Sequence, residues 1–254
     1  MSGDPYVRIG STHDHVTEVV LCRPPNNFFS AAMIDQLAGT WETLDENDNT
    51  RAIVLLAEGK HFCAGADFSQ SSKRDETADL YAAAVRLFRT RKPVIAALQG
   101  AAIGGGLGVA LACDFRVAST DARLAANFAR LGFHHGFGLS VTLPRLVGDQ
   151  RAAELLYTGR RLTGDEAAAI GLVDRCVSPD GLVATAHELA AEIAGSAPLA
   201  VESIRATLRA GIAERVAAAT EHERSEQERL RATRDFTEGV RATAERRAPR
   251  FTRT

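Results

Sequence analysis

The chain reads as an α/β layered domain that gives way to a helical tail, and three observations lead there. Strand-like apolar runs near residues 16–21, 52–57, 93–98 and 115–118 alternate with stretches of helical pattern. Two of these runs end in turns made of glycine and alanine. From Gly181 onward the pattern is helical, apart from the break at Gly195-Ser-Ala-Pro198.

Val16 to Leu21 reads as a strand, and Ser30 is placed to cap a helix from Ala31 to Leu44. Arg51 to Ala57 is a buried strand that leads into the small-residue turn Ala64-Gly65-Ala66. A helix near residues 76–90 follows, then the apolar strand Pro93 to Leu98. That strand hands over, through Gly100-Ala-Ala-Ile-Gly-Gly-Gly-Leu-Gly108, to an apolar helix at 105–113. A strand at 115–118 and a helix near 138–147 come next. Thr163-Gly-Asp-Glu166 fits a capping box for a short helix that stops at Gly171, and Leu172 to Val177 reads as a strand. The final segment, Glu221 to Arg247, reads as one long polar helix whose few apolar residues include Leu230, Phe236 and Val240. Such a helix is either solvated and laced with ion pairs, or packed over a neighbouring subunit.

Bulk properties narrow the function. At 254 residues with 45% hydrophobic content the chain can bury a sizeable core. A formal net charge of −2 gives no reason to invoke nucleic acid or an acidic membrane surface. Cys22, Cys63, Cys113 and Cys176 are far apart and form no C-x-x-C pair, which points to neither a metal site nor a disulfide framework. Met1-Ser-Gly-Asp-Pro-Tyr6 carries no apolar signal region and no run approaches membrane-spanning length, so a soluble cytoplasmic protein is expected.

The chemistry lies in the two small-residue turns. The amides after Gly104 stand at a helix N-terminus, where unpaired N–H groups and the helix dipole favour an anion. The spacing is neither G-x-G-x-x-G nor the phosphate-loop pattern, so a dinucleotide or a nucleoside triphosphate is not expected. A close-packing turn with no ligand would use the same glycines. The second turn, Ala64-Gly65-Ala66, also follows a buried strand and can present amides. Two such turns could converge on one carbonyl oxygen, as an oxyanion hole for a thioester that enolises or is attacked.

Phe62-Cys-Ala-Gly-Ala-Asp67, Gly100 to Asp114, and Leu155 to Val173 resemble the three signature blocks of the crotonase superfamily, the enoyl-CoA hydratases and isomerases. The likeness runs from Leu21-Cys-Arg-Pro-Pro-Asn-Asn27 to Arg247-Ala-Pro-Arg-Phe251. It implies a crotonase-like spiral of β-β-α turns over residues 1–195 and a helical region over 196–254 that serves oligomerisation and covers the coenzyme A site. It further implies an acyl-CoA substrate of fatty acid metabolism, no cofactor beyond that coenzyme A, no metal, and a homotrimer or dimer of trimers. The oxyanion-hole amides would be those of Ala66 and Gly105. Coenzyme A would run along Ala64 and Ala66-Asp67-Phe68-Ser69, with Phe128 beside the acyl group.

The departures from the family pattern matter for the reaction. The two glutamates of hydratases fall at Gly108 and Phe128 here, and a third carboxylate position of the fold falls at Gly136. Hydration by the two-glutamate route is therefore not what this sequence supports. The adjacent His134 and His135 are the expected replacements, because histidine titrates near neutral pH and is the commonest general acid or base. Against that, neighbouring side chains rarely face the same way, and loop histidines usually bond locally. Three readings follow: enolate chemistry on an acyl-CoA (lyase, isomerase or decarboxylase), thioester hydrolysis by His134 or His135, or acyl-CoA binding without turnover.

Overall fold

The computed structural model describes residues 5–66 and 74–254; of 74–76 the backbone alone is described. Two sheets organise these residues. In the larger, β1 (Val7–His13), β2 (Val16–Leu21), β3 (Ala52–Ala57), β4 (Val94–Leu98), β6 (Phe115–Ser119) and β9 (Arg175–Val177) lie side by side in that order. The first pair is antiparallel and the others are parallel. The smaller sheet holds β5 (Ala101–Ile103), β7 (Arg123–Ala125) and β8 (Leu162–Thr163). Parallel neighbours require crossovers. Here α1 (Ala31–Asp45), α2 (Arg74–Leu87) and α3 (Gly105–Ala112) lie in the first three, and the crossover from β6 to β9 runs through residues 120–174.

The remaining helices are α4 (Leu139–Val147), α5 (Asp149–Thr158), α6 (Gly164–Ala169), α7 (Leu182–Ala194), α8 (Pro198–Leu208), α9 (Ile212–Arg231) and α10 (Arg234–Ala244). Alternating side chains of the central strands feed two cores. Ile53 and Leu55 of β3 join Trp41, Met33 and Leu37 of α1. Val54 of the same strand joins Ile95, Val117 and the alanines of α7 on the other face.

Most sequence-level elements appear within a few residues of their expected bounds. Ser30 caps α1 by accepting from the Met33 amide at 3.3 Å. The capping box is complete: Thr163 Oγ1 accepts from Glu166 N at 3.2 Å and Glu166 Oε2 accepts from Thr163 N at 2.7 Å. The tail departs from expectation. The single long helix expected over Glu221 to Arg247 is two, because the chain turns at Ala232-Thr233 and Thr233 Oγ1 accepts from Phe236 N at 3.1 Å. Both helices pack on their own chain, α9 on α2 and α4, and α10 on a 3₁₀ turn at Asn127–Leu131. Strand β1, the short strands β5, β7 and β8, and α5 are additional elements; β5 falls inside the expected glycine-rich turn.

Candidate active site

The two small-residue turns meet. Beyond β3 the chain runs beside β5, with Cys63 N donating to Ala101 O at 2.9 Å and Ile103 N donating to Cys63 O at 3.0 Å. Buried Asn27 ties this segment to the N-terminal loop by donating to the carbonyls of Glu58 and His61, both at 2.7 Å. Gly65 takes a φ of +97°, so that Phe29 N can donate to its carbonyl at 3.1 Å. On the second turn Gly104, at φ +57°, reverses the chain from β5 into α3. A Cβ on Gly106 would overlap the Cys63 carbonyl, and one on Gly105 would overlap the Phe29 ring. The glycines are thus what lets α3 begin directly on the first turn.

Ala64, Ala66 and Gly105 line one cavity of about 860 Å³ together with Phe128. Asp67, Phe68 and Ser69 of the expected coenzyme A strip lie outside the described residues. The cavity wall is aromatic. Phe128 and Phe133 rings stand 5.4 Å apart, Phe133 and Phe236 5.2 Å, and Phe29 and Phe137 6.1 Å. Among the described residues, no carboxylate and no histidine lines it.

The expected glutamate positions are sterically closed. Phe137, held at φ +62°, lays its side chain over Gly108, with Cβ and Cδ1 each 2.6 Å from where a Cβ on that glycine would stand. At Gly136 a Cβ would overlap the Tyr81 hydroxyl. That hydroxyl donates to Gln227 Oε1 at 2.9 Å, and Gln227 Nε2 donates to the His134 carbonyl at 3.0 Å. Burial first, and then the nearby Glu223, push the Tyr81 phenol well above its ordinary value, so it stays protonated.

His134 and His135 lie behind this wall. Their rings stack at 4.1 Å, His134 Nδ1 meets the His135 carbonyl at 2.8 Å, and His135 Nε2 meets Ser140 Oγ at 2.7 Å. Burial, and then the neighbouring His134 and His222, push His135 down to about 4. Ser140 Oγ in turn donates to Glu223 Oε1 at 2.6 Å. Fully buried Glu223 also accepts from the amides of Gly138 at 2.9 Å and Ser140 at 3.2 Å, capping α4 from the tail. The structure therefore brings Ala64, Ala66, Gly105 and Phe128 together and leaves both histidines in a polar cluster beside them.

Other polar side chains near the turns belong to the scaffold. His61 is half-buried, and its Nδ1 accepts from Ala101 N at 3.0 Å. Asp114 accepts from Val94 N, Arg205 Nε and Arg209 Nη1 at 2.9–3.1 Å, joining β4 to α8. Glu58 pairs with Arg8 at 2.8 Å. Tyr81, Gln227 and Arg231 line the cavity without having been singled out as site residues in the sequence. For Tyr81 a signal existed: Thr77, Leu80 and Tyr81 recur at helical spacing and all three face the cavity.

Comparison with known proteins agrees with this architecture. The family model described as enoyl-CoA hydratase/isomerase matches residues 11–254. The crotonyl-CoA hydratase of Syntrophomonas wolfei is 36% identical over 214 residues, covering 81% of this chain and 82% of its own. The short-chain-enoyl-CoA hydratase of Clostridium acetobutylicum is 39% identical over 175 residues, covering 66% and 67%. The crystal structure of an enoyl-CoA hydratase/isomerase from Pseudoalteromonas atlantica T6c superposes with a TM-score of 0.85 at 31% identity, covering 97% of this chain and all of that one. No helix among the described residues is long and apolar enough to cross a membrane.

Proposed function

Because the chain belongs to the enoyl-CoA hydratase/isomerase family, whose members act on acyl-CoA thioesters, we propose that it generates a thioester enolate without a glutamate base, by loss of CO₂ from a malonyl-type acyl-CoA, whose carboxylate is carried by the α-carbon. The observation that carries this reading is the cavity lining, which among the described residues holds neither carboxylate nor histidine. Proton abstraction and water activation both need a base there. Decarboxylation does not, since the C–C bond pair becomes the enolate as CO₂ departs.

The proposed roles follow from position. The amides of Ala66 and Gly105 hold the thioester oxygen, and such donors typically contribute about 10²–10³ each in rate. The apolar faces of Phe128 and Phe133 desolvate the departing carboxylate, which favours its loss as neutral CO₂. The Tyr81 hydroxyl, kept protonated by burial, turns from Gln227 Oε1 to give its proton to the enolate carbon and is reloaded from water. Histidine-activated hydrolysis has less support, because neither His134 nor His135 lines the cavity, whereas Tyr81 does.

The test offers malonyl- and methylmalonyl-type CoA thioesters and, separately, crotonyl-CoA, following CO₂ release, free coenzyme A and enoyl absorbance. CO₂ release with retention of the thioester is expected. Hydration of crotonyl-CoA without any CO₂ release would overturn the proposal.

A further inference from the structure

Arg231 is the last residue of α9 and reaches the cavity wall. Its Nη1 meets Thr77 Oγ1 only at 3.4 Å, and among the described residues its buried Nε has no hydrogen-bond acceptor. The guanidinium carbon lies 5.7 Å from the centre of the Phe133 ring. Among the described residues no carboxylate pairs with it. The other cation lining the cavity among those residues, Arg23, is engaged: its Nη1 donates to Phe28 O at 2.8 Å and its guanidinium stacks over Tyr6 at 4.9 Å. A guanidinium with unused donors in an aromatic wall is unfavourable on its own and well suited to an incoming planar anion.

We propose that Arg231 binds a carboxylate at the far end of the acyl group, so that the favoured ligands are acyl-CoAs whose chain ends in a carboxylate; in a decarboxylation substrate this is a second carboxylate, besides the one on the α-carbon. The inference rests on the reading of the Ala66 and Gly105 turns as the thioester site. The order of contacts supports the far end: the Phe128 ring lies against Gly104, Phe133 packs on Phe128, and Arg231 packs on Phe133. The carboxylate held is not the one lost as CO₂, because an ion pair stabilises the ground state and would slow that loss. A site built around an ion pair discriminates strongly against a ligand lacking the charge, since the guanidinium is then left unpaired. The phosphates of coenzyme A offer a guanidinium the same chemistry, and the experiment separates the two sources.

Titration calorimetry would compare glutaryl-CoA and adipyl-CoA with neutral saturated thioesters of matched length and with free coenzyme A. Wild-type protein, Arg231→Met and Arg231→Lys would each be titrated. The expected result is a preference of at least about tenfold for the carboxylated thioesters in the wild type. Arg231→Met should abolish that preference while leaving neutral thioesters and coenzyme A bound as before, and Arg231→Lys should keep part of it. Equal affinity for carboxylated and neutral thioesters in the wild type would overturn the inference, and that comparison needs no variant. Equal weakening of free coenzyme A by Arg231→Met would overturn it too, by assigning the guanidinium to a phosphate. A wild type that binds no thioester at all would instead remove the thioester reading itself, a result distinct from lost discrimination with binding intact.

Discussion

At the scale of single residues the site is defined by what is missing and what fills the space. Gly108 and Gly136 are not vacancies waiting for a side chain, because Phe137 and Tyr81 occupy the volume beside them. Tyr81 is the residue whose removal is most informative. Tyr81→Phe keeps the ring and removes the proton, so turnover should fall by about 10²-fold with thioester affinity little changed; a kcat within twofold of wild type would remove its assigned role. His135 makes a stability prediction. Its folded value of about 4 lies below the ordinary 6.5, so between those pH values the unfolded chain binds a proton that the folded chain refuses. Stability is therefore complete above about pH 6.5 and falls as pH drops toward 4, by up to about 3 kcal/mol. Glu223, 3.8 Å away, works against this, but its oxygens already take three hydrogen bonds and burial dominates. His135→Gln should flatten the slope of thermal stability against pH in that window, and an unchanged slope would place the acid sensitivity elsewhere.

Among the elements, α9 shows why a polar helix can be structural. Val216, Thr220, Glu223 and Gln227 form a buried stripe at helical spacing, although three of the four are polar. The hydrophobic pattern alone leaves this segment either solvated or packed on a neighbouring subunit, and the stripe is buried in its own chain because each polar group finds a partner. Glu223 takes two amides at the start of α4, and Gln227 bridges Tyr81 to the His134 carbonyl. Removing the carboxylate with Glu223→Ala leaves those amides buried and unpaired, and should cost about 2 kcal/mol, read as a lowered midpoint in urea unfolding. A loss below about 0.5 kcal/mol would show that the cap contributes nothing. The break between α9 and α10 was written at Thr233, an N-cap residue followed by Phe236, and the even polarity around it hid the signal.

For the whole molecule, the tail lines the chain's own cavity, through Gln227, Arg231, Phe236, Thr237 and Val240. α10 lies backbone to backbone against the Asn127–Leu131 turn, where a Cβ on Gly239 would stand 2.5 Å from the Leu131 carbonyl carbon. Gly239→Leu should push α10 outward and raise the KM for acyl-CoA by about tenfold or more through lost closure, while the sheet core melts as before. An unchanged KM would mean that closure by the tail does not contribute to binding. The sequence by itself determined the layered α/β fold, the capped helices α1 and α6, the two glycine turns and the family, because these depend on local backbone preferences, strand periodicity and short ordered motifs. It shows glycine at 108 and 136 and phenylalanine at 128, and the family resemblance is what implies that these are carboxylate positions. Only the tertiary structure decided that the imidazole of His135 is turned to Ser140, that Tyr81, Gln227 and Arg231 share a wall with Ala66 and Gly105, and that the polar tail is buried against its own core. Those outcomes depend on side chains far apart in the chain meeting in three dimensions, and neither periodicity nor motif spacing encodes which way a side chain turns or what fills the space across from it.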